Sequence, residues 1–308
     1  MVTGVVVAPA IARGSQPALP LGRVIAQASG GIWIVPSHGA VSTIADAEAA
    51  DWSPRLRILA VARRHGIAAL DTHGRTRWAL SFAQLAGAPR WSLGRPARLS
   101  FLVGGSLRIV DRDGGGVQRL GSVSAVTPVW RPGCDELAFV RPGGDIVLVR
   151  GDGSLIARWL PSRMPVGLSW SGDGGHLVVS LRYSLIVLDA QLRPRWSRRT
   201  PAILHVTAAP IGTRFAVMTV RGGQTGPSTE TLEVRDAARP GWRAPLTTSP
   251  GFSSRCAWSP DGVYVIVGRP SQRDWLLITV RTRVARSLAL PPEIASRAGM
   301  PMPIAWAA

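Results

Sequence analysis

The sequence predicts an all-β fold, a seven-bladed β-propeller of four-stranded antiparallel blades, on three observations. A Trp-centred turn motif recurs at nearly constant spacing, with Trp52, Trp91, Trp130, Trp170, Trp258 and Trp306 as its anchors. Each interval holds short apolar runs separated by Gly-, Pro- and Asp-containing turns. The two ends of the chain look like complementary parts of one further blade. Six or eight blades are the alternatives, depending on the repeat that has no Trp.

The best-formed motif is Ala257-Trp258-Ser259-Pro260-Asp261-Gly262, followed by Val263-Tyr264-Val265-Ile266-Val267. It reads as strand, tight turn, strand: Pro presets one turn angle, Asp bonds the local backbone and Gly takes the strained position. The β-branched and aromatic run after it suits a buried strand. With Ala209 of Thr207-Ala208-Ala209-Pro210 placed at the Trp position, the anchors are 39, 39, 40, 39, 49 and 48 residues apart. That is the length of a four-stranded blade.

The repeat after Trp52 serves as the model. Strand A ends at the anchor, Arg57–Ala62 forms strand B, Ile67–Leu70 strand C and Arg77–Leu80 strand D. At the N-terminus Arg23–Ala26, Ile32–Val35 and Ala40–Ile44 supply strands B, C and D with no strand A before them. At the C-terminus Met302–Trp306 supplies a strand A with nothing after it. Joining them closes the ring and leaves only short, protected edges. Residues 1–20 are expected to form an N-terminal tail, the remnant of a signal or anchor, and residues 21–308 a single propeller.

Composition bounds the function. The chain is 46% hydrophobic, with 34 Gly and 25 Pro, as suits many short strands and turns. Its net charge is +18, and all 36 basic residues are Arg, with no Lys and no Asn anywhere, as in a GC-rich genome. Such charge points toward a polyanionic partner. No apolar stretch reaches the 18 residues of a transmembrane helix. Cys134 and Cys256 fall in different repeats, so idle thiols are expected rather than a disulfide.

No catalytic set emerges. His38, His65, His73, His176 and His205 are scattered over separate repeats without metal-ligand spacing. There is no Gly-x-Ser-x-Gly elbow, and beside seven blades there is no room for a hydrolase domain. Asp111-Arg112-Asp113-Gly114 superficially suggests a calcium loop, but sits where other repeats turn from strand C to strand D. The Gly pairs at Gly143 and Gly222 precede strands, not helices, as a phosphate loop would require. No enzyme, cofactor or metal site is expected.

Trp258–Gly262 with its apolar strand resembles the WD40-like repeat of TolB-type propellers. Trp52-Ser53-Pro54 and Trp170–Gly174 are partial copies. The resemblance extends over about 21–308 as architecture, and implies a binding platform of the bacterial envelope. No Gly-His and Trp-Asp pair frames each repeat, as it does in eukaryotic WD40 proteins.

One repeated feature has chemical potential. The residue ending strand B is Arg63, Arg141, Arg182, Arg221 and Arg269 in five repeats, with Gly104 and Gln27 in the other two. In this strand order the B–C turns surround the channel on one face, so these arginines form a broken ring, extended by Arg64, His65 and Arg273. Clustered guanidinium groups bind carboxylates or phosphates through paired hydrogen bonds. The longest insertion, Gly222–Glu230, lies on the same face, where long loops often carry binding. The strand D residues Trp78, Trp159, Trp196 and Trp242 are expected to be mostly buried between blades.

The function expected is a non-enzymatic scaffold that recognises a protein, peptide or anionic polymer on this Arg-rich face, as a monomer. A lyase- or esterase-like propeller enzyme using the channel is one alternative. Non-specific nucleic-acid binding is another, disfavoured because the basic stretches lack interleaved aromatics.

Overall fold

Strands B and C read as unbroken apolar runs because neighbouring blades cover both faces of each sheet. Alternation belongs to sheets with one wet face. Ile58–Ala62 of one strand B and Ile146–Val149 of one strand C are buried throughout, whereas the outer strand Pro194–Arg199 is largely exposed. The structure, a computed structural model, describes residues 19–20, 22–28, 30–38, 40–222, 228–290 and 301–307. Most of the expected tail (1–18) and the middle of the expected loop (223–227) lie outside the described residues.

Seven four-stranded antiparallel sheets result. Blade 1 joins Met302–Ala307 to Arg23–Ala28, Gly31–Pro36 and Ser42–Ala45, the one-plus-three closure that the two chain ends predict. Blade 2 is Ala47–Ser53, Ile58–Arg63, Gly66–Leu70 and Thr76–Ser81. Blades 3, 4 and 5 follow from Ala86, Val129 and Gly167. Blade 6 comprises Ala202–Ala208, Arg214–Arg221, Thr229–Asp236 and Arg243–Ser249. Blade 7 comprises Cys256–Trp258, Tyr264–Arg269, Asp274–Thr279 and Ala285–Ala289. Among the described residues no helix is long and apolar enough to cross a membrane.

Each residue of the turn motif has a part. Ser259 Oγ accepts the Tyr264 N–H at 2.8 Å, and Asp261 Oδ1 accepts the Val263 N–H at 3.0 Å. Gly262, at φ 67°, donates its N–H to the Ser259 carbonyl. Blade 5 repeats this, with Ser171 accepting from His176 and Asp173 from Gly175. The Ser after Trp thus closes the A–B turn in blades 5 and 7, and Ser92 does the same in blade 3 by accepting the Arg98 N–H at 2.9 Å, whereas Arg131 follows Trp130 in blade 4. Two of the anchor indoles bridge blades through hydrogen bonds: Trp258 Nε1 donates to the Thr207 carbonyl at 3.0 Å, and Trp130 Nε1 to the Arg90 carbonyl at 2.9 Å.

The repeat without Trp is a regular blade, but its anchor lies one residue earlier than the spacing suggests. Ala208 pairs with Phe215 as Trp170 pairs with Leu177, while the Ala209 N–H makes the bond that the post-Trp Ser makes elsewhere. The anchor separations around it become 38 and 50. A bulge between Ile203 and His205 shifts this strand's register. Phe215 is fully buried where other blades pair Leu or Val with Trp, so the aromatic bulk has moved across the strand pair.

The strand D tryptophans are only half-buried, because the outer strand leaves one side to solvent. They still link blades: Trp78 Nε1 donates to the Arg112 carbonyl at 2.8 Å and Trp196 Nε1 to the Ala237 carbonyl at 2.7 Å. Asp111–Gly114 is a C–D turn closed by the Gly114 N–H on the Asp111 carbonyl.

Both cysteines are free thiols. Burial pushes the Cys256 thiol up to about 12, so it is protonated and enclosed. A Cys134→Ser protein is accordingly expected to leave an aromatic disulfide reagent unreacted until denaturant is added, and then to consume one equivalent.

Candidate functional site

Strand B of each blade ends, and strand A begins, on the same face, so the B–C turns and D–A connections share it. Arg63, Arg64 and His65 are exposed at the B–C turn of blade 2. Arg141, Arg182 and Arg221 are exposed at the equivalent turns of blades 4, 5 and 6, and Arg273 at that of blade 7. Among the described residues Arg63, Arg64, Arg182, Arg221 and Arg273 have no carboxylate within ion-pair reach. Arg141 lies 3.8 Å from Asp145, which Arg158 holds more closely at 2.9 Å.

Arg269 differs. It is 6% exposed, and its guanidinium makes a two-pronged bond to Asp274 across the B–C turn, Nε to Oδ1 at 2.8 Å and Nη2 to Oδ2. The intervening single turn, Pro270–Gln272, folds the two together and leaves Arg273 outside at φ 51°. Arg269 therefore braces blade 7 from within, while the other ring arginines stand open.

Around blade 5 the same face carries apolar groups that sequence reasoning missed. The Arg182 guanidinium lies 5.5 Å from the centre of the Tyr183 ring, which is 49% exposed. Leu160, Met164 and Val166 on the connection from blade 4 are exposed too, as is Leu204 at the start of blade 6. Backbone bonds fix these connections to the B–C turn: Thr200 N–H to the Tyr183 carbonyl and Ile203 N–H to the Arg182 carbonyl. A depression of about 380 Å³ at Tyr183 is lined by Arg163, Arg182 and Arg199. The result is an exposed aromatic ring edged by three guanidinium groups, on a face that also exposes apolar side chains.

The second assembly is the central channel, a cavity of about 590 Å³ lined by the inner strands of all seven blades. Asp51, Arg90, His205 and Arg255 face it from blades 2, 3, 6 and 7. Asp51 Oδ2 accepts the Trp91 N–H at 2.7 Å, and its other oxygen lies 3.8 Å from Arg90. Burial raises the Asp51 carboxyl above its ordinary value, with Arg90 and the Trp91 N–H opposing. His205 presents part of its surface to the channel but is walled in by protein. Burial first, then Arg255 and Arg90, hold it down to about 4, so it is neutral at pH 7. Arg255 is depressed by the same two causes, burial and the neighbouring Arg90.

No family model matches this chain, and no curated protein matches its sequence. Solved structures do. Hsv2 of Kluyveromyces lactis is similar over 90% of this chain and 98% of its own, at 13% identity and a TM-score of 0.60. The WD40 domain of Neurospora crassa Pan2 covers 80% of each chain at 10% identity, with a TM-score of 0.60. Hydrazine synthase of Kuenenia stuttgartiensis covers 88% of this chain and 80% of its own at 15% identity, with a TM-score of 0.58. Identities this low carry the fold and nothing chemical. In fold, the chain is a WD40-like seven-bladed β-propeller.

Proposed function

We propose that this propeller is a non-enzymatic binding platform that takes an acidic segment or surface of a protein partner on its B–C face. The observation that carries this reading is the exposed Tyr183 beneath the Arg182 guanidinium, on a face that also exposes Leu160, Met164, Val166 and Leu204. Aromatic residues and arginines over an apolar centre are the composition of energetic centres in protein interfaces. The unpaired arginines of blades 2, 5, 6 and 7 add long-range attraction for negative charge and accelerate encounter. A purely polyanionic ligand would use the arginines and leave the exposed apolar groups idle, so the face favours a protein.

The test is fluorescence anisotropy with a labelled peptide that alternates Glu and Leu, beside poly-glutamate of equal charge. Tyr183→Ala and Arg182→Glu are each expected to weaken the Glu/Leu peptide by about tenfold or more, equivalent to about 1.4 kcal/mol. Weakening by Arg182→Glu alone, with Tyr183→Ala silent, would turn the reading toward an anionic polymer.

A further inference from the structure

The channel holds more positive charge than its own side chains neutralise. Arg90 and Arg255 both line it, and Asp51 is the one carboxylate among its lining residues. Asp51 is engaged by the Trp91 N–H and sits 3.8 Å from Arg90. The Arg255 guanidinium has no hydrogen bond or ion pair among the described residues, and Arg90 spends one N–H on the neighbouring Pro89 carbonyl at 2.8 Å. Two partly desolvated guanidinium groups lining one cavity are unfavourable unless an anion compensates them.

We propose that the central channel is a binding site for a small oxyanion with two negative charges, of the sulfate or phosphate kind, free or carried by a small molecule, held between Arg90 and Arg255. Both donors offer planar, paired N–H groups that suit such oxygens. Thr127, Ser169 and Ser254 belong to the same lining, with Ser169 Oγ accepting the Ala208 N–H at 2.9 Å. The volume, about 590 Å³, leaves room for an organic group beyond the oxyanion. Val166 and Leu204 belong both to this lining and to the exposed groups of the B–C face, so the ligand enters from that face.

His205 gives the site a pH response. Burial and the two arginines keep it neutral, against the smaller pull of the Cys256 backbone toward the protonated ring. An anion between those arginines removes their repulsion and favours the imidazolium, so binding takes up a proton. Sulfate stays doubly charged from pH 8 to pH 5, and a change in its affinity over that range reports the channel alone. Asp51 acts with the same sign, since its protonation on acidification also removes negative charge from the channel.

The experiment is calorimetric titration of the full chain with sodium sulfate, sodium chloride holding ionic strength constant. One saturable site is expected, weakened tenfold or more by Arg255→Gln and by Arg90→Gln. Arg255→Lys should keep a larger share of the affinity. Arg195→Gln, exposed on the outer strand of blade 5, should bind as the parent does. Affinity should rise from pH 7 to pH 5 with proton uptake, keep that trend in Asp51→Asn, flatten in His205→Gln, and lose the trend when both are replaced. Unchanged binding in Arg255→Gln and Arg90→Gln proteins of native circular dichroism would overturn the proposal, as would the absence of a saturable site. Because Arg182 and Tyr183 lie outside the channel lining, their variants separate a failure here from a failure of the face reading.

Discussion

Replacing Trp258 by Ala should lower the stability of the propeller by about 3–5 kcal/mol, the range for deleting a large buried aromatic. Trp258 is 6% exposed and packs in a core shared by blades 6 and 7, with Met218 and Val234 on one side and Val265 and Ile278 on the other. Its indole N–H also bonds the Thr207 carbonyl across that junction. Trp258→Phe would keep most of the packing and lose the bond, costing about 1 kcal/mol for the bond itself. The indole N–H groups of Trp52, Trp91 and Trp170 are buried without a partner, so Phe at those positions should cost less than at Trp258. Equilibrium urea denaturation of the four Phe variants and Trp258→Ala checks the order. A loss below about 1 kcal/mol for Trp258→Ala would show that the motif's Trp is not what joins the blades.

The architecture was legible because its determinants are local and repeated. Ser-Pro-Asp-Gly closes its own turn through bonds two to five residues apart, from Asp261 to Val263 and from Ser259 to Tyr264. Such bonds survive in any repeat that keeps the residues. Where the Trp is lost the ruler slips: Ala208 rather than Ala209 occupies the anchor, and the bulge at Ile203–His205 hides the shift. The face on which the arginines stand was also legible, since it depends only on strand order. Which of them stay open was not. Arg269 turns inward because one short turn brings Asp274 opposite it, a geometry that spacing does not reveal.

The channel cluster was hidden for another reason. Asp51 and Arg90 stand one residue before their anchors, and His205 and Arg255 three residues before theirs, in four separate repeats. Each looks isolated along the chain, and only closure of the ring brings them into one cavity. Comparison of the residues one and three before every anchor would expose them. Tyr183 and the exposed apolar residues of its face escaped because single exposed hydrophobics are ordinary on protein surfaces. Their significance lies in three connections meeting at one face.

On the proposed function, recognition belongs to the B–C face and not to net charge. Two triple reversals with equal charge change separate these. One changes Arg63, Arg141 and Arg182 to Glu on the B–C face; the other changes Arg75, Arg112 and Arg193 to Glu on the exposed C–D turns of the opposite face. Elution from a heparin column, used as a generic acidic surface, is measured over a range of salt. The B–C variant should elute at much lower salt, its slope of log affinity against log salt falling by about one for each lost contact. The C–D variant should elute close to the parent. Equal losses in both variants, or a larger loss in the C–D variant, would contradict the account.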